Sequence, residues 1–582
     1  MDKSKQILIK FGDRHLLKEG LIVTFLILAI WLPRGYSLDK FVSTDEIAWL
    51  VRSANFYYAL GQRNLEGTFQ KGHPGVTTMW VNTAAFLIEH PEYRGFQQGQ
   101  FDSFLTFERF VDSQGIDSHA VLVRGRSIMV GVHTILLIIG FYLARRLIGF
   151  MPALVGFLLL IFEPFYIGLT RLSHLDGLVG TLALVSVLAF MVYAFEDQKL
   201  RFLIVSAIAA SVASLTKITG LIILPAFGIV FVLMIISHRQ EQPNETRQQF
   251  LEWFRKILAH MFLFGAVFLL VYFVLWPAMW VNPVGTLIEQ YQGPGGLLSE
   301  TERISSNQTD DNQTPIADNH SEIFRYPENF LWRVTPISLA GLLIWLFFFI
   351  KREGILSKGK VRWISWSLLA FAFTFTVLLT IPEKSNFRYW IPAYISLLLL
   401  AGIGWAALLN TAARRFPDQR SRSIGVLIIL VILLIQFFGI LRTYPYYFTY
   451  YNPLLGGSKQ AGKSISVGEG EGLDQAGLFL SSVPNAEKMT VMSWYGWGSF
   501  SYYFSGKTIV FPVTSKWSGG LAEKLRDSDY LVVYQNQWYR RIPPELFDSL
   551  DQVEPMKTIW VDDIEYVRIY DVDSLPDQIF TP

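Results

Sequence analysis

The chain has no cysteine, which excludes disulfide bonds and thiolate metal sites. Charge is also scarce, because Asp, Glu, Lys and Arg make up only 17% of the 582 residues, whereas soluble domains carry about 25%. The net charge is +2, so no strong overall field favours nucleic acid as a partner. Hydrophobic residues make up 51% of the chain. They are concentrated in long runs, which indicates membrane-spanning helices rather than a larger soluble core.

The apolar runs predict a polytopic α-helical membrane protein with about eleven spans. We place the spans near residues 20–35, 126–147, 150–170, 177–195, 201–216, 218–237, 257–277, 331–350, 363–382, 388–410 and 423–442. A basic segment precedes the first run, as in a signal peptide, but no small-x-small cleavage site follows it. We therefore interpret this run as an uncleaved first span. Only Lys217 separates the fifth and sixth runs, which leaves the count open there.

The Lys and Arg residues of the connecting loops predict the orientation, since cytoplasmic loops carry an excess of both. The loops at 145–146, 199–201, 239–256, 351–362 and 414–422 are basic, as is the N-terminal tail, and the loops that alternate with them are poorer. We therefore expect a multi-pass plasma-membrane protein whose N-terminus is cytoplasmic. With an odd number of spans, the residues after about 443 lie outside the cytoplasm.

Two domains follow from this pattern. Residues 1–442 form the transmembrane domain, with large outer loops at 36–125 and 278–330, and residues 443–582 form a soluble extracytoplasmic α/β domain. Runs rich in β-branched and aromatic residues predict the strands of the second domain. We expect these strands at 488–494, 508–513, 530–534, 557–561 and 564–570, the last two as a hairpin, and helices at 473–482 and 521–528.

The predicted outer face collects ionisable residues at the ends of spans, where such groups are costly and usually functional. They are Asp45, Glu46, Lys71, His73, Arg124, Arg126, Arg171, His174, Asp176, Lys217, Glu383, Lys384 and Arg388. Since all of them fall on one side of the membrane, a single site can draw on several. The acids cluster just after the first span and again between the third and fourth spans.

Each residue also has a plainer interpretation. The basic residues can anchor spans to lipid headgroups; these are Arg124, Arg126, Lys384 and Arg388. His73, beside a proline and a glycine, can mark a turn, and Asp176 can cap the fourth span. Asp45 can cap a loop helix beginning at Ile47, with Thr44 as a rival cap. These interpretations explain the residues singly, but they do not explain the clustering of the acids.

Taken together, the motifs resemble the lipid-carrier-dependent glycosyltransferases of GT-C fold, which include the protein O-mannosyltransferases and the lipid A aminoarabinose transferase. The resemblance rests first on the acidic pair after the first span, the His-Pro of the first loop and the Asp between the third and fourth spans. Three further segments are similar to family motifs, namely residues 214–221, 383–392 and 444–457. One block departs, because some relatives carry Asp-Trp-Gly-Gln-Asp where residues 470–475 read Gly-Glu-Gly-Leu-Asp-Gln. The Gly-x-Gly-x-Gly at 468–472 is not a phosphate loop, since no P-loop lysine follows it.

The resemblance implies a GT-C-like catalytic domain, a polyprenyl-phosphate-sugar donor, and a protein, lipid or glycan acceptor at the membrane. It implies an inverting transfer in which Asp45 is the base. The implied catalytic residues are Asp45, Glu46 and Asp176; the residues for the donor phosphate are Lys217, Arg388 and Arg124; those for substrate are His73, Lys384 and Tyr389. No cofactor is required and no metal ligand is assigned. The residue types Asp45, Glu46, His73 and Asp176 nevertheless permit a bridging divalent cation.

Three other functions compete with this interpretation. A transporter or flippase predicts charges near mid-bilayer and matching broken helices in two halves, and neither pattern is visible. A sensor anchored by its helices needs no acids in the first loop. A polymer ligase for lipid-linked glycans shares the topology and is the closest alternative.

Overall fold

A computed structural model describes residues 3–293, 322–381, 386–415, 419–465, 467–512 and 516–581. The protein is an integral membrane protein, mostly helical, with a small mixed sheet near its C-terminus. Among the described residues up to 443, the α-helices are α1 (Lys3–Gly35), α2 (Thr44–Gly61), α3 (Val76–Glu89), α4 (Phe104–Ser113), α5 (Ser118–Ile148), α6 (Phe150–Ile161), α7 (Pro164–Thr170), α8 (Leu175–Val192), α9 (Leu200–Thr216), α10 (Ile223–Glu241), α11 (Arg247–Leu275), α12 (Ala278–Val281), α13 (Pro283–Gln292), α14 (Glu322–Arg333), α15 (Pro336–Lys351), α16 (Gly359–Thr380), α17 (Ile391–Arg415) and α18 (Gln419–Thr443).

The described part of every predicted span is mainly helical, but fewer than eleven of the described helices have the length and apolar character of a full span. Within the described residues, seven helices meet these criteria. The number is eight if the bent pair α6 and α7 is counted as one span. The predicted spans at 201–216 and 331–350 correspond to the shorter helices α9 and α15, of 17 and 16 residues. The helix breaks at Lys217, between α9 and α10, where the sequence left the number of spans open.

The predicted span at 150–170 is not one straight helix. It bends by 70° between α6 and α7, because Pro164 at the start of α7 cannot continue the helical hydrogen bonds. The bend buries Glu163 completely. Its carboxylate accepts hydrogen bonds from the Thr335 backbone at 2.8 Å and from the Ser338 and Tyr394 hydroxyls at 2.9 Å. This polar junction ties the bent span to α15 and α17, which satisfies a group that would otherwise be costly in the bundle.

Lys217 marks a sharp reversal of the chain between α9 and α10. Its backbone is extended (φ −152°, ψ 142°) and a short 3-10 turn, Ile218–Ile222, follows. An added Cβ at Gly220 would lie 2.5 Å from the carbonyl oxygen of Ala213, so no side chain fits there. The reversal therefore keeps the Lys217 side chain at the junction of two packed helices.

The C-terminal region forms a five-stranded mixed sheet, as the strand pattern predicts. Its strands are β1 (Thr490–Ser493), β2 (Lys507–Val510), β3 (Tyr530–Tyr534), β4 (Lys557–Val561) and β5 (Ile564–Asp571). The order is β2-β1-β3-β5-β4, with β1 parallel to β2 and β3, and β5 antiparallel to β3 and β4. The predicted residue Val513 lies outside the described residues.

Five helices accompany the sheet and complete its core. They are α19 (Gly457–Ser464), α20 (Leu473–Ser481), α21 (Gly519–Arg526), α22 (Gln535–Arg540) and α23 (Pro544–Leu550). The inward residues of the strands, such as Val491, Leu531 and Ile569, are fully buried against helix residues such as Leu480 and Leu546. The predicted α/β character of this region is therefore confirmed.

Candidate functional site

A buried ion pair fixes the start of α2. The N-cap of α2 is Ser43, and its backbone N–H donates to Glu46 Oε2 at 3.0 Å. The same carboxylate accepts from Arg126 Nε at 2.8 Å and from the Ser173 backbone at 2.8 Å. The side chains of Glu46 and Arg126 are fully buried. Glu46 therefore joins α2, α5 and the loop before α8, and this arrangement positions the neighbouring Asp45.

Asp45 has the opposite surroundings. Its side chain is 44% exposed, and its Oδ2 lies 3.3 Å from His174 Nε2 and accepts from Arg388 Nη2 at 2.8 Å. Burial raises the pKa of Asp45, but the Arg388 charge and the His174 hydrogen bond outweigh burial and hold this pKa well below its usual range. In this state Asp45 is an ionised carboxylate of low basicity.

The structure corrects the capping interpretations at both acids. Because the N-cap of α2 is Ser43, neither Asp45 nor Thr44 is the cap. The N-cap of α8 is His174, whose ring accepts from the Asp176 backbone, so Asp176 is not the cap either. Both acids lie in the first turn of a helix, where the helix dipole favours a negative charge.

Asp176 is buried between a histidine and two basic side chains. Its Oδ1 accepts from Lys217 Nζ at 2.5 Å. Its Oδ2 lies 3.5 Å from His174 Nδ1 and 3.9 Å from Arg388 Nε, and among the described residues it has no hydrogen-bond donor. Asp176, in the first turn of α8, thus lies between Lys217, which follows α9, and Arg388, in the turn before α17.

Lys217 faces an aromatic ring as well as an acid. Its Nζ lies 3.6 Å from the centroid of Tyr389, a cation–π contact. The preceding residue, Thr216, accepts the backbone N–H of Gly75 at 3.1 Å. This contact holds the loop that contains His73, which is half-buried, next to the reversal at Lys217.

Arg388 is the centre of the cluster and is 9% exposed at its side chain. It lies in a 3-10 turn, Phe387–Trp390, that leads into α17, and its backbone and Nε both donate to Asn386. Besides Asp45 and Asp176, its third acidic neighbour is Glu469, whose Oε2 lies 3.2 Å from Nη1. Acids from three separate parts of the chain therefore surround one guanidinium.

Glu469 belongs to a loop between α19 and α20 and was not among the predicted site residues. Its carbonyl accepts the Thr44 backbone N–H at 3.4 Å, and its own N–H donates to Glu471 at 2.5 Å. The next residue, Gly470 (φ +111°), donates to the Tyr534 hydroxyl at 2.9 Å. Burial raises the pKa of Glu469 to about 7, against the lowering by Arg388. The only sequence signal was the Gly-x-Gly-x-Gly at 468–472, whose glycines all have positive φ.

Three predicted site residues are not among the described groups that surround Arg388. Glu46 is enclosed by its buried partners, as above. Arg124 is 48% exposed and its Nε donates to Glu89 at 2.5 Å. Lys384 lies outside the described residues. Asp45, Asp176, Lys217, Arg388 and Tyr389 are brought together in one cluster.

Asp45, Asp176 and Glu469 face the cations Lys217 and Arg388, and these five groups carry a formal charge of −1 when all three acids are ionised. Within the described residues, no group of three or more His, Asp or Glu side chains is arranged to hold a metal ion. Lys217 and Arg388 can hold a phosphate group, and the partly exposed Asp45 leaves a carboxylate beside it. That combination suits the transfer of a group away from a phosphate.

A family model described as dolichyl-phosphate-mannose-protein mannosyltransferase matches residues 116–276. This segment contains two of the cluster residues, Asp176 and Lys217, together with His174. No curated protein sequence matches the chain.

Three solved structures are similar in fold at low identity. ArnT from Cupriavidus metallidurans, bound to undecaprenyl phosphate, is 13% identical over 94% of this chain and 97% of its own, with a TM-score of 0.44. The oligosaccharyltransferase AglB from Archaeoglobus fulgidus, in complex with an inhibitory peptide and a dolichol-phosphate, is 11% identical over 89% and 69%, with a TM-score of 0.46. The protein O-mannosyltransferase Pmt1-Pmt2 complex of S. cerevisiae, bound to the sugar donor, is 17% identical over 46% and 34%, with a TM-score of 0.35.

The family match confirms the resemblance stated from the sequence. Residues 116–276 are similar to glycosyltransferases that take their sugar from a lipid-phosphate donor.

Proposed function

We propose that this protein transfers a sugar from a polyprenyl-phosphate donor to an acceptor at the outer face of the membrane. The observation that carries the proposal is the convergence of Asp45, Asp176, Lys217 and Arg388 at one place. The family match supplies the donor class, since the family it describes uses a lipid-phosphate mannose. Mannose is therefore the first sugar to test.

In this reaction the bond between the sugar carbon and the phosphate oxygen breaks, and its electron pair leaves with the phosphate. Lys217 and Arg388 are suited to neutralise that charge, one as a compact ammonium and the other as a planar fork. The acceptor oxygen or nitrogen forms the new bond on the opposite face of the sugar. It gives its proton to a carboxylate as the sugar gains oxocarbenium character, and the configuration inverts.

We assign the base role to Asp45. In the free protein its basicity is low, because Arg388 and His174 hold its pKa well below the usual range. When the donor phosphate binds Arg388, it adds a negative charge beside Asp45 and offsets part of the guanidinium charge, so the pKa of Asp45 rises. Donor binding therefore prepares the base, and a carboxylate without bound donor does not act on the acceptor. Asp176 holds Lys217 and the His174 ring in place.

We further propose that the reaction needs no resident metal. The donor is anchored by its lipid in the membrane, and the two basic side chains supply the positive charge that a divalent ion gives to nucleotide-dependent transferases. Transfer should then be unaffected by EDTA. A loss restored by a divalent cation would contradict this part of the proposal.

The test is a transfer assay with radiolabelled polyprenyl-phosphomannose and membranes that contain the protein. We expect label to leave the donor for a protein, glycan or new lipid product, resolved from the donor by chromatography, and to stay in the donor with the Asp45→Asn variant. Release of label that is the same with parent and variant, or none with either, would overturn the proposal. The anomeric configuration of the labelled product tests inversion.

A further inference from the structure

We propose that Glu469, a residue of the C-terminal domain, holds Arg388 in the free protein and competes with the donor phosphate for it. Glu469 would thus be a positioning residue of the active site. The inference rests on the proposed function, because it takes the phosphate of a lipid-linked sugar as the competing anion. It adds the C-terminal domain to the binding of the donor.

The two terminal nitrogens of the Arg388 guanidinium contact different acids. Its Nη2 donates to Asp45 at 2.8 Å, and its Nη1 lies 3.2 Å from Glu469 Oε2. Nε already donates to Asn386 at 3.3 Å. A phosphate that takes two parallel N–H donors of a guanidinium must therefore displace at least one carboxylate.

A carboxylate that is displaced from Arg388 is destabilised if it stays ionised, because the site already carries several negative charges. Three carboxylates already face the charges of Arg388 and Lys217, and a phosphodiester adds a fourth negative charge. A displaced carboxylate next to that phosphate is destabilised by like-charge repulsion. The acid that gives up Arg388 should therefore be the one that most readily takes up a proton, because a neutral carboxyl is not repelled by the phosphate.

Glu469 fits that description better than Asp45. Asp45 keeps a second partner, His174 Nε2 at 3.3 Å, and its pKa is held well below the usual range. Burial raises the pKa of Glu469 to about 7, and the negative charge of Asp45 adds to the rise. The charged and titratable groups that influence Glu469, or are influenced by it, are Arg388, Asp45, Glu471, His174, Tyr451 and Tyr495.

The loop that carries Glu469 is built to hold it in place. Its carbonyl is bonded to the Thr44 backbone at the start of α2, one residue before Asp45. An added Cβ at Gly468 would lie 2.8 Å from the Tyr534 hydroxyl, and one at Gly470 would lie 3.3 Å from the Val42 carbonyl. The backbone thus packs closely against both the transmembrane part and the sheet, which fixes the carboxylate opposite Arg388.

The sign of the pH effect follows. Glu469 is increasingly protonated as the pH falls through about 7 and then leaves Arg388 to the donor, whereas at higher pH it is increasingly ionised and competes. Donor affinity should therefore be greatest below pH 7 and fall above it, by at most about tenfold per pH unit for one proton. The donor itself is a phosphodiester and keeps one charge over this range.

The experiment measures the Kd of polyprenyl-phosphomannose for the purified full chain in detergent, without acceptor, from pH 6 to pH 8.5. We expect the parent to weaken by several-fold to about tenfold across that range. Glu469→Gln should bind as tightly at pH 8.5 as the parent does at pH 6, without a pH dependence. Glu469→Asp, which keeps the charge, should keep a pH dependence. Glu523→Gln, an exposed glutamate on α21, is the matched control and should follow the parent.

The possible outcomes separate the inference from the proposed function. If Glu469→Gln shows the same pH dependence as the parent, or the parent shows none, the inference is wrong while donor binding stands. If the parent binds no polyprenyl-phosphomannose, the proposed function falls and the inference with it. Should Glu469→Gln be unstable, Glu469→Ala gives the same comparison, with the melting temperature of each variant recorded.

Discussion

Arg388 donates a hydrogen bond to Asp45 across 2.8 Å, although the two residues are 343 positions apart in the chain. The contact links the turn before α17 to the first turn of α2. It neutralises the most exposed acid of the cluster, and it occupies the guanidinium that is best suited to a phosphate. A phosphate can therefore take two donors of this guanidinium only if a carboxylate partner of Arg388 gives way.

The first prediction concerns Asp45. Asp45→Asn should lower turnover by at least about 100-fold, because the amide keeps the shape but has no useful basicity. Melting temperature should stay near the parent value, since Ser43 and not Asp45 caps the helix. Turnover with a defined acceptor and thermal unfolding in detergent are the measurements. The control is Asp39→Asn, which changes an exposed acid of the same loop. Turnover near the parent value in Asp45→Asn would contradict the assignment and leave Asp176 as the next candidate base.

The second prediction concerns the two cations. Arg388→Ala and Lys217→Ala should each raise the KM for donor by roughly 10- to 150-fold, because a hydrogen bond to a charged group contributes about 1.5–3 kcal/mol. Arg388→Lys should restore only part of the loss, since an ammonium cannot hold two phosphate oxygens in a fork. Arg109→Ala, at an exposed arginine of α4, serves as the control. A donor KM unchanged in both alanine variants would instead assign these residues to structure.

The third prediction separates Glu46 from its neighbour. Glu46→Gln leaves the fully buried Arg126 without its ionic partner, and losing one member of a buried pair costs about 3–5 kcal/mol. We expect a clear fall in melting temperature and in the yield of folded protein. A Glu46→Gln protein that melts like the parent but has lost turnover would give Glu46 the catalytic role implied by the resemblance.

The fourth prediction tests the orientation. In this cysteine-free chain, Ser482→Cys lies at an exposed position after α20 and Ser357→Cys at an exposed position in the loop before α16. An impermeant maleimide should label the first in intact cells and the second only after lysis, as the distribution of Lys and Arg predicts. The reverse labelling pattern would show that the C-terminal domain is cytoplasmic.

Much of the architecture could be predicted from the sequence, since apolar length and strand composition are local properties. Where the structure describes them, the predicted spans are mainly helical and the five predicted strands form the sheet. The bend at Glu163 was missed, because a proline and one acid within an apolar run do not show which distant hydroxyls will surround that acid. Pro164 was the available signal.

Part of the site could be predicted, because the distribution of Lys and Arg assigns each loop, and the ionisable residues in it, to one side of the membrane. Asp45, Asp176, Lys217 and Arg388 were expected on one face and are in contact. The different surroundings of Asp45 and Glu46 were not predictable, because adjacent residues on a helix point about 100° apart, and only the fold determines which direction is buried. Glu469 could not be found from the pattern, because its importance depends on how a separate domain packs on the first loop.

The loop at residues 467–472 has a consequence for how this protein can be divided. Its glycines let the backbone of the sheet domain rest on the start of α2, and its acid completes the surroundings of Arg388. A fragment that ends at residue 442 would therefore differ from the whole in its chemistry as well as in its size. A chimera that exchanges the sheet domain between relatives would have to carry this loop with it, or else match the new loop to the first turn of α2.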